Sequence, residues 1–293
     1  LIHRNESSAI VFLKGQQPDQ KYHIGCQVLP SSLTVKLNNE KLKTRVSLLD
    51  FLPLQIITPV SHQLVDSGPS NRRKFIDWGL FHVEPHYARQ MQEYRKALKQ
   101  RNAALRGRTV SASYWDKGLA EYGENVDRYR SRFLEQLAPL FVDTVSHFEK
   151  IEGLTLKYQP GWNRDKGLLA HLQEKLRSDN KSGNTSVGPH RADLVIRIKD
   201  EVAKERLSRG QQKLVVTSFV IAQARLLGKR GLKPTILIDD LPSELDRGHQ
   251  STLLNLLAAI PSQKLVTSID RQICHFGMHP KVFHVEHGNV TLL

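Results

Sequence analysis

Two adjacent carboxylates, Asp239 and Asp240, follow directly after the apolar run Thr235–Ile238. A continuous run of this kind is typical of a strand that is buried on both faces of a parallel sheet. In open α/β sheets, ligands bind beyond the carboxyl ends of the strands. There, one carboxylate can hold Mg²⁺ through its water ligands, and its neighbour can orient or deprotonate an attacking water molecule. Aspartate is also common in the turns that end strands, so the pair alone does not establish such a site.

A second candidate site is the segment LSRGQQ at 207–212, which precedes the apolar run 214–222. That run predicts a buried helix, whose first backbone N–H groups have no intrahelical partner and which binds phosphate-like anions at this end. Gly210 would let a bulky anion approach the backbone, and Arg209 would add positive charge. Ser208 would cap the helix or hydrogen-bond the anion. The alternative is an ordinary serine N-cap, and this segment alone favours that alternative.

The composition limits the class of protein. The chain has 293 residues, 39% hydrophobic and 25% charged, which is typical of a globular protein with a large core or two domains. Its formal net charge of +14 favours a polyanionic partner, nucleic acid rather than membrane. Neither a long apolar run nor a signal-peptide pattern is present. The two cysteines, Cys26 and Cys274, are far apart in the sequence, as expected in a reducing cytoplasm.

The elements around these motifs change in type along the chain. Near the start, apolar runs predict strands at 9–14, 22–29, 33–37 and 54–59, with Asn38-Asn39 as a turn. Further on, we expect a strand at 154–159, a helix at 165–177 and a loop at 178–188. From there to the end, strands at 194–198, 235–238, 264–267 and 282–286 alternate with helices at 211–227 and 245–259. This alternation predicts a mainly parallel sheet that is covered on both faces.

The middle of the chain predicts an antiparallel helical hairpin. Apolar residues recur at three- and four-residue steps from Tyr87 to Leu105, with one position skipped, and again from Leu119 to Phe133. The segment 107–113 would join the two helices. We expect a cluster of cations near this connection, with no acidic residue among them, to contact nucleic-acid phosphates; the alternative is a solvated helix face. The cluster consists of Lys96, Lys99, Arg101, Arg106 and Arg108.

Several motifs together resemble a known family. The segment LSRGQQ is similar to the signature motif of the ATP-binding-cassette family, TILIDD at 235–240 to its Walker B strand, and SELD at 243–246 to its D-loop. These motifs alone specify only the superfamily. Within its branch of DNA-repair and chromosome-organising ATPases, the segments 68–77, 99–106 and 188–194 resemble the RecF family of bacterial recombination mediators. The resemblance runs from about the first strands to the end of the chain.

The resemblance implies a fold and its boundaries. We expect an α/β protein with an ATP-binding-cassette head, whose first lobe is incomplete and contains a mixed sheet. A second, mainly α-helical lobe would carry the antiparallel helical hairpin. Residues 1–66 and 188–293 would form the two parts of the head, and residues 67–187 the helical arm.

The resemblance also implies roles for single residues. Asp239 would be the Walker B acid that binds Mg²⁺, and Asp240 the catalytic carboxylate. Ser208 and Gly210 would contact the γ-phosphate of an ATP molecule bound to the other subunit of a dimer. The remaining residues expected around the nucleotide or at the dimer seam are Arg209, Gln211, Ser243, Asp246 and Thr267.

The chain departs from the family pattern at three places. The Gly-rich Walker A loop, GxxxxGK[ST], is absent from the sequence; in this family it lies upstream, and the chain begins at Leu1. We therefore expect the N-terminal part of the head to be missing, and this chain alone to bind ATP poorly or not at all. Asp240 replaces the glutamate of transporter cassettes, which predicts slow hydrolysis. No histidine follows the strand at 264–267, so Thr267 or Ser268 would replace its contact with the γ-phosphate.

The function that the resemblance implies is that of a cytoplasmic, nucleoid-associated repair protein with weak, DNA-dependent ATPase activity. It would form an ATP-dependent homodimer, clamp duplex DNA and single-strand/double-strand junctions, and work with RecO and RecR to load RecA at gaps in repair, replication restart and the SOS response. Two alternatives stay open, a nucleotide-independent basic nucleic-acid-binding protein and another SMC-like repair ATPase. The first accounts for the charge but not for TILIDD together with LSRGQQ.

Overall fold

The computed structural model describes residues 2–16, 20–42, 48, 51–58, 63–107, 111–241, 245–269 and 280–293. The chain forms two compact units, residues 1–54 and residues 55–293. The lobe boundaries expected at residues 66 and 187 stay predictions. None of the described helices is long and apolar enough to cross a membrane.

The first unit is an antiparallel sheet whose four strands follow one another in chain order. These are β1 (Ala9–Gln16), β2 (Lys21–Val28), β3 (Leu33–Leu37) and β4 (Glu40–Lys41). Asn38 and Asn39 connect β3 to β4 with φ angles of 49° and 71°, a conformation that asparagine tolerates and that two-residue hairpin turns require. The predicted turn is therefore confirmed. Tyr22, Ile24 and Val35 form the small core of this sheet.

Helices dominate the first half of the second unit. They are α1 (Gln63–Asp66), α2 (Pro69–Val83), α3 (Tyr87–Gly107), α4 (Asp116–Phe148) and α5 (Leu168–Ser182). The start of α3 contacts the middle of α4 through Tyr87 and Tyr129, and its end contacts the start of α4 through Arg101 and Asp116. The two helices are therefore antiparallel, and the predicted hairpin is confirmed. The predicted loop at 178–188 begins later, because α5 continues to Ser182 and ends at Gly183 with φ 69°.

The strands of this unit after α4 include β9 (Thr235–Ile238) and β10 (Lys264–Val266), which carry the candidate site. The others are β6 (Leu154–Gln159), β7 (Asp193–Ile198), β8 (Glu201–Val202), β11 (Phe283–Glu286) and β12 (Asn289–Leu292). The strand β9 lies between β10, which is parallel to it, and β5 (Leu54–Ile57). The helices here are α6 (Arg209–Lys229) and α7 (Arg247–Ala258).

The prediction of a mainly parallel sheet after residue 188 is wrong for two strands. The strand β7 pairs antiparallel with β6 and β8, and β11 pairs antiparallel with β12. An apolar pattern shows that a strand is buried but not which strand is its partner, and β6 precedes β7 by more than thirty residues.

The helix α6 lies between two hydrophobic cores of the second unit. Val215 and Phe219 pack with the apolar residues of the helical part, whereas Val220 and Ile221 pack with β9 and α7. A helix that is apolar all round is expected to be fully covered. The residue at its start, Ser208, is therefore held by a helix that both cores fix in place.

Candidate nucleotide site and nucleic-acid interface

Thr267 joins the two carboxylate residues at the end of β9. Its hydroxyl donates a hydrogen bond to Asp239 Oδ1 at 2.7 Å and accepts one from the backbone N–H of Asp240 at 2.8 Å. Its own N–H donates to the carbonyl of Ile238 at 2.8 Å, and its carbonyl accepts from Leu241 N at 3.2 Å. The parallel pairing of β9 with β10 thus brings all three predicted residues together at one edge of the sheet.

Asp240 has an unusual backbone conformation. Its φ of 50° lies in the left-handed region, which costs a residue other than glycine roughly 1–2 kcal/mol. Aspartate is one of the few residues that visit this region, and backbone strain of this kind is concentrated at functional sites. The strain supports a functional role for the turn that follows β9.

The carboxylates fit a Mg²⁺ ion that shares its ligands with a phosphate. Mg²⁺ is usually bound by one or two carboxylates, several waters and the phosphates of a substrate. Asp239 is exposed and Asp240 is half-buried, so both lie within reach of solvent and ligand. No group of three or more His, Cys, Asp or Glu side chains in the described ranges could hold a metal by itself. A cation here would therefore depend on phosphate and water for its other ligands.

The start of α6 is a capping box. Ser208 Oγ accepts a hydrogen bond from Gln211 N at 3.2 Å, and Gln211 Oε1 accepts one from Ser208 N at 3.0 Å. The ordinary N-cap interpretation is therefore correct as far as the helix itself is concerned. It does not exclude an anion, because a hydroxyl that accepts one hydrogen bond still has its own proton to donate.

The residues at this helix start are open to solvent. Ser208, Arg209 and Gly210 are all exposed. A Cβ atom added to Gly210 would meet no described atom closer than Ser208 Oγ at 3.9 Å. Packing within the described part of the chain therefore does not require glycine at this position, whereas close approach of an outside ligand would.

Gln211 also connects the capping box to the hairpin. Its Nε2 donates a hydrogen bond to Glu149 Oε1 at 2.8 Å, directly after the end of α4. Sequence patterns did not single out Glu149, because the two residues are 62 positions apart and only the packing of α4 against α6 brings them together.

The D-loop candidates have different outcomes. Asp246 caps α7, where its Oδ1 accepts a hydrogen bond from His249 N at 3.0 Å and its Oδ2 contacts His249 Nδ1. These bonds, the backbone one first, lower the pKa of the Asp246 carboxyl. Ser243 lies outside the described residues. A place at a dimer seam stays a prediction for both.

The prediction that Arg101 contacts nucleic acid is wrong for this structure. The side chain is fully buried, with 0% exposure. Its guanidinium donates to Asp116 Oδ1 and to Asp179 Oδ2, both at 2.7 Å, and to Thr185 Oγ1 at 2.9 Å. A signal for this was present in the sequence, because residue 101 occupies the position that the apolar series from Tyr87 to Leu105 skips.

The other cations of the predicted cluster that the structure describes are exposed. Lys96 and Lys99 have no hydrogen-bond or ion-pair partner within the described ranges. Arg106 donates to the carbonyl of Gly183 at 3.3 Å but keeps its side chain at the surface. Arg108 lies outside the described residues. Lys96, Lys99 and Arg106 thus remain candidates for phosphate contacts.

Sequence comparison places the chain beside characterised bacterial proteins. No protein-family model matches it. The DNA replication and repair protein RecF of Pseudomonas fluorescens strain Pf0-1 is 40% identical over 265 residues. The protein of the same name from Pseudomonas aeruginosa strain LESB58 is 41% identical over 267 residues. Each match covers 88% of this chain and 72% of the relative.

Structural comparison shows that this chain has the fold of solved RecF and Smc head structures. The solved structure of the recombination mediator protein RecF with ATP in the RecFOR pathway superposes with a TM-score of 0.82 at 24% identity, and the match covers 99% of this chain and 81% of that one. An Smc head bound to the C-winged helix domain of ScpA superposes with a TM-score of 0.56 at 15% identity, covering 100% of this chain and 76% of that one. The predicted combination of an ATPase head with a helical lobe is confirmed at the level of the fold.

Proposed function

The chain belongs to the RecF family of DNA replication and repair proteins, and on that premise we propose that it is an ATP-dependent, DNA-binding recombination mediator. In this proposal ATP and Mg²⁺ bind at the end of β9, and a second subunit closes over the nucleotide. The dimer then holds duplex DNA at a single-strand/double-strand junction. The observation that carries the proposal is the arrangement of Asp239, Asp240 and Thr267 at one edge of the sheet.

Each member of this arrangement receives a separate role. Asp239 binds Mg²⁺, which supplies charge stabilisation for phosphoryl transfer when it is bound. Asp240 orients the attacking water from the strained turn after β9. Thr267 fixes the direction of the Asp239 carboxylate and takes the place of the histidine found in transporters.

In the proposed dimer, the start of α6 contacts the nucleotide that is bound to the other subunit. Ser208 and Gly210 contact the γ-phosphate of the partner's nucleotide, Arg209 adds charge beside it, and Gln211 holds the capping box. What supports this is the exposure of the helix start and the open space at Gly210, which nothing in the described chain fills. Asp246 lies near the seam that this contact creates.

The proposed nucleic-acid partner is inferred from the charge of the chain, and the proposed protein partners are inferred from its family. The net charge of +14 supports binding to the DNA backbone, as do Lys96 and Lys99, which have no partner among the described residues. The solved RecF structure is described as part of the RecFOR pathway, so we assign RecO and RecR as partners and the loading of RecA at gaps as the outcome. These assignments rest on family membership and not on a surface of this structure.

The DNA-binding part is tested by reversing the charge of Lys96, Lys99 and Arg106 to Glu. We expect weaker binding to a gapped duplex and a shallower dependence of affinity on salt, because each lost phosphate contact removes roughly 0.9 from the log–log slope. Fluorescence anisotropy at several salt concentrations measures both quantities. An unchanged affinity and slope would remove these residues from the interface.

A second candidate function is nucleotide-independent binding of nucleic acid. The net charge of +14 is the observation that favours it. It predicts the same DNA affinity with and without Mg-ATP, in this chain and in a version preceded by a Walker A segment from a relative. The proposed function requires the second version to respond to ATP.

A further inference from the structure

Two adjoining recesses lie on the surface of α3 and α4, near the start of α3 and away from the connection between the two helices. The first is lined by Asn125, Arg128, Tyr129 and Arg132. The second shares Tyr129 and adds residues from both helices. Its lining residues are His86, Arg89, Gln90, Glu93, Tyr122 and Tyr129. We call the surface formed by Arg89, Arg128, Tyr129 and Arg132 the arm-root surface.

The three arginines of the arm-root surface have no partner among the residues that the structure describes. Arg89, Arg128 and Arg132 are exposed, and no hydrogen bond or ion pair engages their guanidinium groups in the part of the chain that the structure describes. By contrast, Arg101 and Arg130 are each bound to buried carboxylates. Arg128 and Arg132 are one helical turn apart, where like charges repel. The cluster of arginines therefore does not stabilise the folded chain. Binding of an anionic ligand would explain why the three side chains lie together.

The floor between the arginines is held rigidly. The ring of Tyr129 meets that of Tyr87 edge to face, with centroids 5.8 Å apart. Tyr87 in turn donates a hydrogen bond to Asp77 at 2.5 Å, and Arg130 binds the same carboxylate at 2.9 Å. A surface that is built on helices and supported by a buried hydrogen-bond network is preorganised for a ligand.

The arm-root surface continues toward the tip of the hairpin. Arg89 and Lys96 are seven residues apart on α3 and therefore share one face of the helix. Lys96 also has no partner in the described ranges. Cations without a partner in the described part of the chain thus extend from Lys96 to Arg89 and across Tyr129 to Arg128 and Arg132. An extended row of this kind matches a linear polyanion better than it matches a single small anion.

We propose that the arm-root surface binds the sugar–phosphate backbone of nucleic acid, as a contact separate from the cations near the hairpin tip. The inference rests on the proposed DNA-binding function. Guanidinium groups bind phosphates with two parallel hydrogen bonds, and the unpaired arginines have their donors available. Glu93 is the one acidic residue that lines the recesses, so positive charge prevails there. An acidic segment of a partner protein is the competing occupant.

The test neutralises two arginines of the full chain, Arg128→Gln together with Arg132→Gln. The matched control is Lys229→Gln together with Lys233→Gln, which removes the same charge from two exposed lysines that also have no partner in the described ranges. The affinity for a 30-base-pair duplex is measured by anisotropy between 50 and 200 mM KCl. Thermal unfolding confirms that both variants are folded.

We expect the arginine variant to bind the duplex at least tenfold more weakly at the low end of this salt range, with a log–log slope shallower by about 2, since two phosphate contacts are lost. The lysine variant should keep the slope of the unsubstituted chain. If both variants keep that slope, the inference is wrong, and an acidic protein segment becomes the occupant to test. If the unsubstituted chain binds no duplex, either alone or with Mg-ATP when it is preceded by a relative's Walker A segment, the proposed DNA-binding function fails together with the inference.

Discussion

Thr267 shows at the scale of one residue how the site is assembled. Its hydroxyl is the donor to Asp239 and the acceptor for Asp240 N, so one side chain fixes both carboxylate residues. For Thr267→Val we expect a loss of roughly 1–2 kcal/mol in the free energy of unfolding, because two hydrogen bonds are removed. Urea unfolding measures the change. Thr267→Ser keeps the hydroxyl and should lose less than half as much; equal losses in the two variants would mean that the hydroxyl does not hold the turn.

Arg101 gives the sharpest stability prediction at the same scale. For Arg101→Met we expect a destabilisation of about 3–5 kcal/mol, because Asp116 and Asp179 would be left as buried, unpaired charges. Lys99→Gln, two residues away and exposed, should change stability by less than about 0.5 kcal/mol. Chemical denaturation of both variants tests this. A small effect of Arg101→Met would mean that the buried ion pairs do not form in solution.

At this scale, sequence reasoning found the residue types of the site but not their surroundings. The carboxylate pair and the capping serine could be predicted because strand ends and helix starts have recognisable residues, whereas Thr267 was named from the family resemblance. The ion pair of Arg101 with Asp179 and the hydrogen bond from Gln211 to Glu149 could not be predicted, since each joins residues that are more than sixty positions apart along the chain.

The start of the helix α6 has room for a side chain at Gly210. Gly210→Ala places a Cβ where the nearest described atom is 3.9 Å away, so we expect the stability of the isolated chain to be unchanged or slightly higher. If a phosphate approaches the backbone here, the same methyl group should weaken the ATP-dependent dimerisation of the chain when it is preceded by a relative's Walker A segment. Unfolding and sedimentation measure the two effects separately. A destabilised chain, or a dimer of undiminished affinity, would contradict the account.

A second element, the segment 188–194, makes stability depend on pH. Burial lowers the pKa of His190 to about 4, and burial likewise lowers the pKa of His82 to about 4. His190 Nε2 donates to the carbonyl of Thr185 at 2.9 Å, which leaves Nδ1 of the neutral ring to accept from Tyr94 OH at 2.7 Å. An unfolded histidine titrates near 6.5. Between about pH 6.5 and 4 the unfolded chain therefore binds more protons than the folded one, and stability decreases as pH falls.

We expect the free energy of unfolding to be lower at pH 4.5 than at pH 6.5 by at most about 2–3 kcal/mol per histidine. It should decrease steadily between these two pH values. In His190→Gln roughly half of this pH dependence should disappear, with His82 accounting for the rest. Urea unfolding at the two pH values provides the measurement. An identical decrease in the variant and the unsubstituted chain would show that His190 is not buried in its neutral form.

The positions of helices and strands were predicted better than the partners of the strands within the sheets. The hairpin, α6 and the strand β9 followed from periodicity, because one buried face or a fully buried run leaves a clear pattern. The antiparallel partners of β7 and β11 did not, because β6 is distant in sequence and β12 is only four residues long.

In the proposed dimer of the whole molecule, two half-sites from different subunits form one nucleotide site. The carboxylates after β9 supply ligands for a metal ion, and the start of α6 supplies a helix end that can bind an anion. Neither half-site has what the other supplies. The chain belongs to the RecF family and has the fold of a RecF protein that was solved with ATP, and its net charge is +14. The central claim is therefore that ATP joins two copies through Ser208 and Gly210.

The most direct test is sedimentation velocity of the chain preceded by the Walker A segment of a relative, with Asp240→Asn to slow hydrolysis. Binding of a fluorescent ATP analogue first confirms that this protein holds the nucleotide. The account predicts a monomer without nucleotide, a dimer with Mg-ATP, and a monomer under both conditions when Ser208→Arg is added to a protein that stays folded. A protein that binds ATP and remains a monomer, or one in which Ser208→Arg still dimerises with ATP, would contradict the claim.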